Sequence, residues 1–72
     1  MNVKKGELIS FNSTDYTATV KLAGSHRAYL EEVSVARNIP GSEMVAGRQV
    51  AVAFFDEHNA KEAVVIAVYV RA

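Results

Sequence analysis

Seventy-two residues with eight basic and eight acidic side chains, no Cys and no Trp confine the chain to one small domain, 1–72, of zero formal net charge. Balanced charge without a run of like sign argues against a broad electrostatic footprint for nucleic acid or an anionic membrane, because phosphate contacts need clustered Lys and Arg. The lack of Cys removes disulfides and thiolate metal sites, and a core this small supplies only about 3–5 kcal/mol, so oligomerisation is the expected staple.

In chain order, residues 6–11 read as a first strand. Asn12-Ser13-Thr14-Asp15 follows as a turn, since short polar side chains there bond the backbone. Tyr16, Ala18, Val20 and Leu22 then alternate with Thr17, Thr19 and Lys21, which predicts a second strand with the first set turned inward. Gly24-Ser25 breaks the pattern, and residues 28–35 resume it as a third strand. There Leu30 and Val33 fall on opposite faces of a regular strand, so a bulge at Glu31-Glu32 is expected to return both to the core.

Asn38, Pro40, Gly41 and Ser42 are loop formers. One helical turn near residues 42–46, capped by Ser42, would let Met44 and Val45 plug a barrel end. Val50-Ala51-Val52-Ala53-Phe54-Phe55 makes a fourth strand, the polar segment 56–62 connects, and Ala63-Val64-Val65-Ile66-Ala67-Val68-Tyr69-Val70 makes a fifth. These two runs are apolar on both faces and need cover on both. Five short strands at roughly 8–15-residue spacing predict an all-β fold, a small five-stranded antiparallel barrel, OB-like or similar. Closure also removes an apolar edge that would template aggregation.

The order of features resembles the OB-type β-barrel module of contractile-tail phage baseplate, spike and hub proteins. The matching residues are Gly6, Ala18-Thr19-Val20, Val33 to Ala36, Gly47, Val50, Val52, Phe54 to Asp56 and Ala63 to Val68. The resemblance implies a structural part without a catalytic site, assembled commonly as a trimer about a tail axis, in a virion or tail-like particle. Within these 72 residues neither a β-helical spike nor a lysozyme-like domain is expected alongside the barrel, a departure from that picture.

Residue by residue, chemistry is sparse. Asp56-Glu57-His58 brings carboxylates and an imidazole together, yet three adjacent loop residues converge on a metal only through a tight turn, and solvation of the loop suffices. Glu31 and Glu32, as strand neighbours, are expected to diverge, one solvated and one at a bulge or rim, which argues against paired carboxylates across a pocket. Ser25-His26 with Asp15 has the composition of a triad without its geometry. No catalytic residue, metal site or cofactor is therefore expected. Asn12-Ser13-Thr14 matches a glycosylation sequon, for which turn formation is a sufficient reason.

Two functional classes stand. The preferred one is a non-enzymatic assembly module, a homo-oligomer (trimer or higher order) joined through a second apolar face of Ala51, Ala53, Phe55, Val65, Ala67 and Tyr69, whose small Ala side chains permit close approach. The alternative is a single-strand nucleic-acid module using Arg27, Tyr29, Arg37 and Arg48, with stacking on aromatics beside basic residues. Tyr29 is the ring expected to be exposed and Tyr16 the one expected in the core. Lys4-Lys5 leads into Gly6-Glu7 and not into an apolar stretch, so no signal peptide is read. The C-terminal run, at about eight residues, is too short for a membrane helix, and a soluble protein is expected.

Overall fold

The computed structural model describes residues 2–24, 29–56 and 60–70. Five strands form a closed barrel: β1 (Asn2–Asn12), β2 (Thr17–Leu22), β3 (Tyr29–Val35), β4 (Gln49–Phe54) and β5 (Ala63–Tyr69), in the order β1-β2-β3-β5-β4. Neighbours pair antiparallel except at the closure, where β3 and β5 run parallel through two residue pairs, Ser34 with Val64 and Val35 with Val65. β1 is longer than its alternation suggested, because residues 2–5 extend it along β4 beyond the end of β2.

The interior follows from pattern. Leu8, Val20, Val50, Val52 and Val65 are fully buried, with Ala18, Val33, Val35, Ile39, Met44, Phe54 and Ala63 completing the core. Every one of these is aliphatic or aromatic, which is what a lumen without room for hydrated groups demands. The barrel is narrow enough to require a glycine at one point. A Cβ on Gly6 would lie 2.6 Å from Val20 Cγ1 and 3.0 Å from the Lys21 carbonyl oxygen, so β1 and β2 approach there as closely as backbone permits.

Three register slips bend the strands around this core. β1 gains one residue at Ile9, between the pairs Leu8–Val20 and Ser10–Thr19. β3 sets Glu31 and Glu32 against the single residue Thr19, while Leu30 pairs with Val20 and Val33 with Ala18. This is the bulge expected from the sequence: Val33 is buried and Leu30 packs on the core. Glu32 takes φ +55°, a conformation that costs an L-residue free energy and is tolerated where the surrounding ladder enforces it. The third slip, in β5, was not expected. Ala51 pairs with Ala67 but Val52 with Val65, so Ile66 is the extra residue.

The turns behave largely as their residues dictate. Asn12 Oδ1 accepts from the backbone N–H groups of Thr14 and Asp15, at 3.0 and 3.4 Å, closing the β1–β2 turn. Tyr16 precedes β2 at φ +57°, stacks edge-on against Phe11 at 5.1 Å, and donates its hydroxyl to the Ile39 carbonyl. Its ring packs against the core, as expected. The helical turn is shifted and shorter than expected: a 3-10 turn spans Gly41–Glu43 after Pro40 and has no side-chain cap from Ser42. Met44 plugs the barrel, whereas Val45 is exposed. The turn ends at Glu43, so Met44 and Val45 lie beyond it and are not held together on one helical face. A second 3-10 turn, Ala60–Glu62, leads into β5, and the Glu62 carbonyl accepts from Phe55 N–H at 2.9 Å.

Candidate functional site

The side of the barrel made by β1, β4 and β5 presents a sheet whose outward residues run in rows across the ladder. Val3, Ala53 and Val64 form one row, Lys5, Ala51 and Ala67 the next, and Glu7, Gln49 and Tyr69 the third. Large apolar groups stand exposed around the small ones: Phe55 is 60% exposed, Val3 51%, and Tyr69 and Ile66 41% each. Ala51 is half-buried and Ala67 exposed, leaving a shallow floor between them. Ala53 lies on the same side but is nearly inaccessible between its ladder neighbours Val3 and Val64.

Of the six residues expected on this face, Ala51, Phe55, Ala67 and Tyr69 belong to its accessible surface and Ala53 to its floor. Val65 does not. It is fully buried in the barrel interior, because the extra residue at Ile66 reverses the facing of everything before it relative to Ala67 and Tyr69. Val64 takes the outward position instead.

The described residues of the nucleic-acid alternative, Tyr29, Arg37 and Arg48, stand at different places on the barrel. Arg27 lies outside the described residues. Tyr29 is exposed, as expected, with the Lys21 ammonium 6.0 Å from its ring centroid, but it begins β3. Arg37 follows the other end of that strand, about 20 Å away at ~3.3 Å per residue, and its guanidinium lies 4.8 Å from the Tyr16 ring centroid. Arg48 bonds the Glu43 carboxylate at 2.9 Å and the Glu43 carbonyl at 3.1 Å.

Between Tyr29 and Arg37 the surface is acidic. An open groove of about 340 Å³ is lined by Ser10, Phe11, Asp15, Thr19, Glu31 and Glu32. The bulge thus brings Glu31 and Glu32 to one groove, where strand alternation alone had them diverging. A phosphate backbone laid along β2 and β3 would meet three carboxylates, and like charge at this range costs free energy. A second groove of about 360 Å³, lined by Gly6, Glu7, Lys21, Leu22 and Gln49 among others, is of mixed charge.

For the remaining candidates, Ser25, His26, Glu57 and His58 lie outside the described residues, and Asp56 is exposed. Among the described residues no three His, Asp or Glu side chains come together as a metal site, and no helix is long and apolar enough to cross a membrane. Comparison of the chain with protein-family models, curated proteins and solved structures yields no significant match.

Proposed function

We propose that the protein is a non-enzymatic assembly module, an OB-type barrel whose copies associate through the β4–β5 side. The observation that carries this is the outer surface just described, with Phe55, Ile66 and Tyr69 exposed around Ala51 and Ala67. Scattered apolar residues are ordinary on a protein surface, but a contiguous group ringed by polar side chains marks a contact. Zero net charge supports the same reading, since copies do not repel at long range. A core of this size without disulfides also gains from association.

The OB assignment is supported by the strand order β1-β2-β3-β5-β4 with its short parallel closure. The pattern resemblance to phage-tail barrel modules favours a part in a larger particle, with a trimer or higher homo-oligomer as the unit. Light scattering coupled to size exclusion at micromolar concentrations tests the proposal. A mass of several chains that Ala67→Asp reduces to one, with the fold retained, supports it. A single-chain mass at every concentration overturns it.

A further inference from the structure

The closure of the barrel is so short that it leaves strand edges open, and those edges are not treated alike. β3 and β5 share only two residue pairs, after which the bulge at Ile66 turns β5 away. Past that bulge Ala67, Val68 and Tyr69 regain regular pairing to β4, with no strand on their other edge among the described residues. Among the described residues the start of β1 is likewise unpaired on the side away from β4 as far as Lys4, the Lys5 carbonyl already accepting from Ala23 N–H at 2.9 Å, and the start of β3 is unpaired on the side away from β2.

Proteins blunt such edges with Lys, acidic residues, bulges or covering segments, because an open row of N–H and C=O groups recruits another strand. The β1 edge carries Lys4, with Lys5 next along the strand. The β3 edge carries Glu31 and Glu32 on a bulge, and the Ala60–Glu62 turn lies against it. The β5 edge carries neither charge nor Pro, and no charged residue falls between Glu62 and Arg71. It is apolar on both sides as well: Tyr69 and Ala67 face outward, and Val70, next along the chain, is 71% exposed.

We infer that residues 67–70 form a pairing edge, and that its occupant is the same edge of a second copy, joined antiparallel about a twofold axis. The inference rests on the self-association proposed above and gives it a mode that a threefold trimer does not use, because a twofold edge contact closes at two copies. Only an extended strand satisfies a row of backbone donors and acceptors at strand spacing. A twofold axis opposes the segment to itself, so every residue that fits one side fits the other. Ala67 and Tyr69 share the outer side, and in the antiparallel pair the small side chain of one copy leaves room for the ring of its neighbour. The segment is uncharged, so the pairing brings no like charges together. Four residues supply few bonds, and the association is accordingly concentration-dependent.

The test compares amide hydrogen exchange of the full chain below and above the concentration at which its mass rises. Edge pairing creates new backbone hydrogen bonds, so amides within residues 67–70 slow at least tenfold on association. Val70→Lys, at a position exposed enough to leave the fold intact, then returns the protein to a single-chain mass with the melting temperature that the parent shows below its association concentration. If the protein associates while those amides exchange at one rate throughout, and Ala51→Asp dissociates it where Val70→Lys does not, edge pairing is overturned and packing through the sheet face stands. A single-chain mass at all concentrations overturns both.

Discussion

Replacing Gly6 by Ala tests how tightly the barrel is drawn. Gly6 is not among the residues at positive φ, so the substitution carries no backbone conflict and its effect is steric. The new methyl would sit 2.6 Å from Val20 Cγ1, inside any permitted contact, and 3.0 Å from the Lys21 carbonyl oxygen. Val20 is fully buried among the core residues and has no empty side to rotate into. Overpacking of this kind costs about 1–3 kcal/mol, offset by about 0.4–1 kcal/mol from the stiffer unfolded chain. A net loss of about 1–2 kcal/mol is expected, a large share of the roughly 3–5 kcal/mol that a core of this size supplies.

The companion variant Val20→Ala removes two methyl groups, about 1.6 kcal/mol of transfer at ~0.8 each, and with the cavity term about 2–3 kcal/mol. In the double variant the methyl added by Gly6→Ala occupies part of the space that Val20 vacates. The two losses therefore combine to about 1 kcal/mol less than their sum. Relief is partial because the Lys21 carbonyl cannot withdraw without breaking the β1–β2 ladder. Urea unfolding at one fixed protein concentration measures all three variants, fixed because association shifts the midpoint. A Gly6→Ala protein as stable as the parent, or strictly additive losses, would refute the close approach of β1 and β2.

Val65→Asp is expected to abolish folding, seen as loss of the far-ultraviolet strand signal, whereas Ala67→Asp keeps that signal and changes only the mass. The same phenotype for both would deny the bulge that separates them. At Glu32, with φ +55°, Glu32→Gly is expected to be neutral or stabilising by up to about 1 kcal/mol. Glu32→Val costs about 1–2 kcal/mol, since a β-branched side chain is least tolerant of that conformation; thermal unfolding of the pair gives the sign. Tyr16→Phe removes the hydroxyl donated to the Ile39 carbonyl and is expected to lower stability by about 0.5–1.5 kcal/mol by denaturant titration. No change would mean that water replaces the donor at no cost.

Much of the barrel was legible from residue order. Alternation in residues 16–22 placed Ala18 and Val20 inside, and the two-sided apolar runs located β4 and β5 and called for closure. The bulge in β3 was readable because a charged pair interrupts an apolar pattern, and the only way to keep both Leu30 and Val33 inside is to insert one extra residue there. The second face was legible in outline, through Ala51, Phe55, Ala67 and Tyr69.

What residue order could not show is the slip at Ile66. Along residues 63–70 one alternating set is Ala63, Val65, Ala67 and Tyr69 and the other Val64, Ile66, Val68 and Val70, so moving the register by one residue exchanges one apolar set for another and leaves no polar mark in the pattern. Only the closed barrel decides it, because β5 must pair antiparallel with β4 along its length and parallel with β3 for just two residues, and one extra residue provides the bend between those directions. That bend sends Val65 into the core, Val64 and Ala67 to the surface, and residues 67–70 out along an open edge. Composition and alternation determined that this chain is a small barrel with apolar surface left over; the geometry of closure decided which residues form that surface.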